Sequence, residues 1–430
     1  MNPQAQELNT IIREKNTMLF EMLSERGKNI FFPRKGILGQ TADAKGKRIN
    51  ATIGSAFEDD GTPMRLHSIE RQLNISPSLA FPYAPSYGKP DIRKKWRELI
   101  YEKNPALDGK EISLPVVTSA LTHALSMAGY LFLDSTDSLL VSDLLWGNYN
   151  LIFTNAYGAN LEKFNLFRNE KFDLESFEKL LSAMKSGKKV ILLNFPNNPS
   201  GYTPAVDEVK GIVSVLRNEA EKGNKVIAIV DDAYFGLVYE PGVEKQSVFS
   251  YLANLHENLL AVKIDGPTKE DYVWGFRVGF ITYGIRNGSK ALYEALEAKT
   301  AGAVRGNISN ACHLSQSLLM AAFIAEEYQI EKSDKYQILS ARFRKVKETL
   351  KTGKYNHFFS ALPFNSGYFM CIRLREGLDG EKLRCLLLDK YDTGVIHMND
   401  VIRIAFSSVA ESDIPALFEN IYNACRELAA

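Results

Sequence analysis

Gly266-Pro267-Thr268-Lys269-Glu270-Asp271-Tyr272-Val273-Trp274-Gly275-Phe276-Arg277-Val278-Gly279 is the stretch on which the reading of this chain turns. It sets a lysine eight residues ahead of an arginine, between glycines, and runs into an apolar segment that predicts a strand over Val278–Tyr283. A lysine amine can condense with an aldehyde, and a guanidinium can hold a phosphate. The segment is therefore equipped for a ligand that carries both groups. Four further segments bear on whether that ligand is real.

Outward from this point, short apolar runs predict strands at Leu114–Thr118, Ser138–Ser142, Val190–Asn194, Val226–Val230 and Leu259–Ile264. They are β-branched and mostly without alternation, as in strands covered on both faces. Helical patterns separate many of them, which predicts βαβ units and a mainly parallel sheet. After about residue 330 the pattern changes to a charged helix over Ser333–Lys351, an apolar run ending at Leu374, another helix, the run Val401–Ser408 and a last helix. This divides the chain into residues 1–60 (N-terminal helix and arm, part of a small domain), 61–330 (large ligand-binding domain) and 331–430 (C-terminal small domain).

Open α/β sheets bind ligands at the carboxyl ends of their strands, and four such ends carry notable residues. Asn194-Phe195-Pro196-Asn197-Asn198-Pro199-Ser200-Gly201 is a rigid turn that aims its Asn side chains, or else a loop that caps a helix. Asp231-Asp232-Ala233-Tyr234 puts a carboxylate behind an apolar run, where it needs a cationic partner or caps the next helix. At Ser119-Ala120-Leu121 a strand turns into a helix whose first amides, with the Ser119 hydroxyl, suit an anion, unless this is an ordinary capped helix. Trp146 can stack on a flat heteroaromatic ring or serve as plain core. Taken together, these residues address every functional group of pyridoxal 5′-phosphate (PLP). Lys269 meets the aldehyde, Asp231 the pyridine nitrogen and Tyr234 the O3′ oxygen. Trp146 meets the ring face, and Ser119 with Arg277 the phosphate.

Composition excludes several other classes. The chain has 430 residues, 45% hydrophobic and 24% charged, with 52 Lys and Arg against 51 Asp and Glu, a net charge of +1. Such a balance offers no electrostatic footprint for nucleic acid or an anionic membrane. No apolar run approaches the ~18 residues of a membrane span. The N-terminus lacks a signal-peptide pattern, and the six histidines show no metal-ligand spacing. The four cysteines, Cys312, Cys371, Cys385 and Cys425, lie far apart, so a reduced cytoplasmic protein is expected. Residues 5–26 place apolar side chains at helical spacing and predict one amphipathic helix packed on its own chain or a partner.

In order and spacing the segments resemble the fold-type I PLP enzymes, the class I/II aminotransferase family typified by aspartate aminotransferase, over roughly residues 50–410. The matches Asn198-Pro199-Ser200-Gly201 and Asp231-Asp232-Ala233-Tyr234 carry the resemblance most cleanly. It implies an α/β fold: a large domain with a mainly parallel sheet between helices, and a smaller α+β domain. It implies a Schiff base on Lys269, Asp231 paired with the pyridinium, Asn198 and Tyr234 on O3′, and Arg277 on the phosphate. Trp146 would stack on the ring, and Tyr83 would reach a phosphate across a homodimer interface. Arg403 would grip the substrate α-carboxylate beside Gly54, and Arg305 would reach a distal carboxylate from the partner subunit. Departures occur at Pro267 and Tyr272 in the lysine segment, at Ala120-Leu121 where glycine and a small or polar residue are common, and at Gly266 where relatives often have a serine. Backbone amides and Thr268 are expected to compensate.

The expected activity is transfer of an amino group between an L-amino acid, with aspartate or glutamate favoured, and a 2-oxo acid. Partners beyond these small molecules are a second copy of the chain, with no nucleic acid, membrane or metal. The same constellation can run α- or β-decarboxylation or C–S lysis, because the cofactor supplies the chemistry. A PLP-sensing transcriptional regulator would need a DNA-binding module before the large domain, and no basic recognition helix stands there.

Overall fold

The apolar runs assemble into a seven-stranded sheet: β1 (Val116–Thr118), β2 (Ser138–Ser142), β3 (Asn160–Phe164), β4 (Lys188–Asn194), β5 (Lys225–Asp231), β6 (Leu259–Asp265) and β7 (Gly279–Gly284). A computed structural model describes residues 1–34 and 36–429. The strand order is β1-β7-β6-β5-β4-β2-β3. Pairing is parallel from β3 through β6, and β7 runs antiparallel to both β6 and β1. All six predicted strands are present. The seventh, β3, escaped sequence reading because it is an edge strand: of its five residues only Phe164 is buried. Helices such as Ala120–Phe132 and Val206–Glu221 cover the sheet. Ala228, Ile229 and Val230 in β5 have no exposed surface, which is why the strands read as unbroken apolar runs.

Beyond this sheet lies a smaller one, β8 (Phe359–Ala361), β9 (Phe369–Leu374), β10 (Ile396–Met398) and β11 (Val401–Ala405), antiparallel throughout and ordered β8-β9-β11-β10. The charged helix before it starts at Tyr328 rather than Ser333 and runs to Lys351. Ile49–Asn50 pairs in parallel with Thr393–Gly394, so the chain docks on this smaller unit before it enters the large sheet.

The two sheets meet at Gly201. Its carbonyl accepts from the amides of Asn365 and Ser366, both at 2.9 Å. Its φ is +73°, and a Cβ there would lie 1.8 Å from the Phe369 carbonyl oxygen. Only glycine satisfies both conditions. Gly201→Ala is expected to cost about 2–5 kcal/mol, the sum of left-handed backbone strain and overpacking, read as a clear fall in the thermal midpoint; an unchanged midpoint contradicts this contact.

The N-terminus corrects one expectation. Instead of a single helix over residues 5–26 there are three, Pro3–Lys15, Thr17–Met22 and Glu25–Asn29. Asn16 is extended (φ −159°, ψ 96°), and its side chain accepts from the Leu19 amide at 3.0 Å. Ser24 caps the third helix in the same way. Short polar side chains that bond nearby amides end helices that apolar spacing alone would continue. Leu8, Ile11, Leu19 and Met22 remain exposed in the single chain. Among the described residues no helix is long and apolar enough to cross a membrane.

Candidate active site

The carboxyl ends of the large sheet open into a cavity of about 1040 Å³ shared with the smaller sheet. Asn198, Asp231, Tyr234 and Lys269 reach it at or just after the carboxyl ends of β4, β5 and β6. Asn194 and Asp231 are register partners at the ends of β4 and β5. The Asn194 amide donates to the Asp231 carbonyl at 2.9 Å, and its side-chain oxygen accepts from the Asn198 amide at 2.9 Å. This fastens the turn that presents Asn198.

Lys269 follows β6 on the short helix Pro267–Glu270. Pro267 suits the first position of a helix, where no amide hydrogen is needed. The helix is clamped from both sides. Tyr368 donates to the Lys269 carbonyl at 2.6 Å. Beyond it, Glu270 pairs with Lys103 at 2.8 Å and Lys332 at 3.0 Å, Lys332 also meets Asp271 at 3.1 Å, and Tyr328 donates to Asp271 at 2.6 Å. Burial pushes the Glu270 carboxyl up, but the two lysines override it and hold it well below the usual carboxylate range. The lysine-bearing turn is thus bound to the helix that leads into the smaller unit.

Within the cavity the Lys269 amine lies 5.2 Å from the Tyr234 ring centroid. Burial lowers its pKa to about 8; Asp231 opposes the shift and Arg277 adds to it. Asp231 is 3% exposed. Burial raises its pKa, against a hydrogen bond from Tyr149, the charge of Lys269 and the Ala233 amide. Burial likewise keeps the Tyr234 phenol protonated far above neutral pH. Arg403, on β11, is 2% exposed. It donates to the Thr52 carbonyl at 2.8 Å and lies 4.4 Å from the Phe369 ring centroid, yet its Nε has no partner. Among the described residues no carboxylate pairs with it, and burial lowers its pKa.

Gly54, Ala120, Leu121, Trp146, Asn198, Thr268 and Arg277 complete the predicted residues that line the cavity. Ala120 adopts φ +63°, the left-handed backbone that a glycine would take without strain. Gly266 cannot be replaced freely, since a Cβ would sit 2.8 Å from the Val278 carbonyl oxygen and 3.2 Å from Leu121 Cδ1. The two nearest atoms are backbone, so Gly266 is constrained by its approach to Val278 and Gly279, with the Leu121 side chain as a further neighbour. Ser119 does not line the cavity. Its amide donates to His123 Nδ1 at 3.1 Å, and its hydroxyl makes no cap bond. Tyr83 is 89% exposed, and Arg305 is exposed in the last turn of Lys290–Ile308; neither lines the cavity of the single chain.

Sequence reading missed several cavity residues. Tyr149 donates to Asp231 Oδ2 at 2.6 Å. It stands three residues after Trp146, one turn along, and that spacing was a usable signal. Phe31, Ile37 and Leu38 from the N-terminal arm and Met398 from β10 also line the cavity, with no local signal to mark them.

The donor set can be tested against PLP. Among the described residues Asn198 Oδ1, Thr268 Oγ1, Trp274 Nε1 and Arg403 Nε are buried without partners, all on cavity-lining residues. Native interiors leave few such atoms unsatisfied, and these four share one cavity wall open to a polar ligand. With an amine, a buried carboxylate and Arg277 in the same space, the residues fit a planar aldehyde that carries a basic nitrogen and a phosphate.

A sequence profile for aminotransferase class I and II matches residues 63–421. The chain is 24% identical over 331 residues to a cytoplasmic aspartate aminotransferase of Caenorhabditis elegans, covering 75% of this chain and 78% of that one. It is 23% identical over 414 residues to the cytoplasmic aspartate aminotransferase of Oryza sativa subsp. japonica, covering 92% and 97%. Among solved structures, an aminotransferase from Anaerococcus prevotii superposes with a TM-score of 0.83 at 26% identity, covering 94% of this chain and 98% of that one.

Proposed function

The chain belongs to the class I and class II aminotransferases, and from that premise we propose that it moves an amino group between L-aspartate or L-glutamate and a 2-oxo acid, with PLP attached at Lys269. The observation that carries the reading is the coexistence, in one cavity, of a lysine with pKa near 8 and a buried guanidinium with no carboxylate partner among the described residues. An unpaired buried arginine is costly unless a ligand completes it, and an α-carboxylate fits its fork.

When bound, PLP supplies a protonated ring that draws electrons from the substrate's Cα. Asp231 would keep the proton on the ring nitrogen. Trp146 would cover the ring face, Asn198 and Tyr234 would donate to O3′, and Arg277, Thr268 and the amides of Ala120 and Leu121 would hold the phosphate, with Ser119 shaping that turn. Arg403 and the backbone at Gly54 would orient the α-carboxylate. Lys269 Nζ, neutral in a large fraction near pH 8, would be the base that takes the Cα proton. Tyr234 is held neutral by burial and so can donate without carrying charge.

The preference for a dicarboxylate rests on Arg305, and with it on a homodimer, since Arg305 and Tyr83 lie outside the single-chain cavity. A cytoplasmic location accords with the two aspartate aminotransferase relatives. Arg305→Ala should lower kcat/KM for aspartate and glutamate about 10–100-fold, the worth of one charge-assisted contact, while alanine and aromatic substrates change little. A uniform loss across all substrates, or a wild-type enzyme indifferent to dicarboxylates, would remove the acidic-substrate reading and leave the aminotransferase reading standing.

A further inference from the structure

Asp231 is buried without a cation at ion-pair distance among the described residues. Its carboxylate is held by two donors. The Ala233 amide reaches Oδ1 at 3.1 Å, and the Tyr149 phenol reaches Oδ2 at 2.6 Å. Tyr149 is itself 1% exposed and comes from a different strand's turn, the one after β2. Its amide donates to the Trp146 carbonyl at 3.0 Å, and the two rings meet edge to face, 5.7 Å apart at 87°. Phe153 also packs against the phenol ring, tilted at 45° with centroids 6.0 Å apart. One turn therefore carries both the residue proposed to cover the ring face and the phenol that grips Asp231.

We propose that Tyr149 is a positioning residue of the reaction: its hydroxyl fixes the Asp231 carboxylate in the orientation and ionised state that protonate the cofactor ring nitrogen. The inference rests on the reading of Asp231 given above. Desolvation is the force that Tyr149 opposes. A carboxylate this deeply buried is pushed toward its neutral form. A neutral Asp231 would lose much of its hold on the ring proton. Charge-assisted hydrogen bonds oppose that push, and a 2.6 Å bond from a phenol is a strong one. The donor must also keep its own proton. Burial and the adjacent carboxylate raise the Tyr149 pKa well above its ordinary value, so it donates throughout the working pH range. The Ala233 amide secures the other oxygen, and the Asn194 side chain secures the Asp231 backbone. Rotation of the carboxylate is thereby blocked at both oxygens, and each retains acceptor capacity for the ring N–H. The remaining ionisable groups that act on Asp231 and Tyr149 are Lys269 and Tyr234, both in the cavity.

Tyr149→Phe keeps the ring contacts with Trp146 and Phe153 and removes only the donor. The test compares the wild type, Tyr149→Phe, Asp231→Asn and the double variant, each loaded with PLP labelled with ¹⁵N in the ring. The readouts are the ring-nitrogen resonance across pH, the PLP dissociation constant, and kcat and KM separately. Tyr149→Phe should melt near the wild type and keep its cofactor on Lys269. Its ring nitrogen should lose the proton at lower pH, and kcat should fall about tenfold to a hundredfold with KM nearly unchanged. In the Asp231→Asn background the same change should matter less than about twofold, because the two residues act as a unit. A Tyr149→Phe protein with a wild-type resonance and kcat, alongside an impaired Asp231→Asn protein, would overturn the inference alone. A Tyr149→Phe loss that persists in full in the Asp231→Asn background would also overturn it, since the phenol would then act through Trp146. An Asp231→Asn protein with an unchanged ring nitrogen would bring down the inference and the reading of Asp231 together.

Discussion

Lys269→Ala should yield a folded protein that retains the cavity and loses turnover by about 10⁴-fold or more, because one residue serves as both attachment point and proton-transfer base. The fold should survive. The clamp on its turn is made by the Lys269 carbonyl with Tyr368 and by Glu270 and Asp271 with Lys103, Lys332 and Tyr328, none of which uses the Lys269 side chain. Borohydride reduction of the PLP-loaded wild type, followed by peptide mapping, should place the reduced cofactor on Lys269, and on no residue in the variant. The pH dependence follows from the lowered pKa. Only the neutral amine attacks an aldehyde, and burial holds this amine near 8. PLP capture by cofactor-free protein should therefore rise about tenfold per pH unit below 8 and level off above it. A rate still climbing toward about pH 10 would mean a solvated lysine and a different attachment site. A cofactor adduct elsewhere would end the assignment.

Arg403→Ala should lower kcat/KM by about a thousandfold for every amino acid tested, since all share the α-carboxylate that it is proposed to hold. Two charge-assisted bonds of roughly 1.5–3 kcal/mol each bracket this value. The guanidinium is buried against Phe369, satisfied at one nitrogen by the Thr52 carbonyl and open at Nε. Removing it takes away an uncompensated charge, so stability should not fall as it would for a broken ion pair, and the variant should melt close to the wild type. PLP affinity should also hold, because the proposed phosphate cation is Arg277. A variant that loses PLP along with substrate would put Arg403 on the cofactor instead. A variant that stays active would leave the buried guanidinium without a role. The uniformity expected here is what separates Arg403 from Arg305, whose loss should depend on the substrate side chain.

Sequence and structure agree most closely where the chemistry is local. Lys269, Asp231 and Asn198 each follow an apolar strand within a few residues, so strand and functional residue are read in one window, and all three line one cavity. The sheet was legible because strands covered on both faces leave unbroken apolar runs. What escaped is non-local or concerns backbone angles. Tyr149 lies 82 residues from the carboxylate it grips. Ile37, Leu38 and Met398 reach the cavity only through docking of the arm and the smaller sheet. The break at Asn16 turns on a single extended residue inside helical apolar spacing. Leu121 and Gly266 were visible as two oddities, but the backbone of Val278 and Gly279 that a Cβ at Gly266 would meet shows only in three dimensions. Tyr83 and Arg305 lie beyond the cavity of one chain, and their proposed roles require a second copy.

The most direct test is the half-reaction. Purified protein loaded with PLP is mixed with each L-amino acid in the absence of any acceptor, while cofactor absorbance and the released product are followed together. The cofactor should convert to its pyridoxamine form, fastest with aspartate or glutamate, with a stoichiometric amount of the matching 2-oxo acid and reversal when a second 2-oxo acid is added. Failure to take up PLP, or release of carbon dioxide or ammonia without conversion of the cofactor, would contradict it.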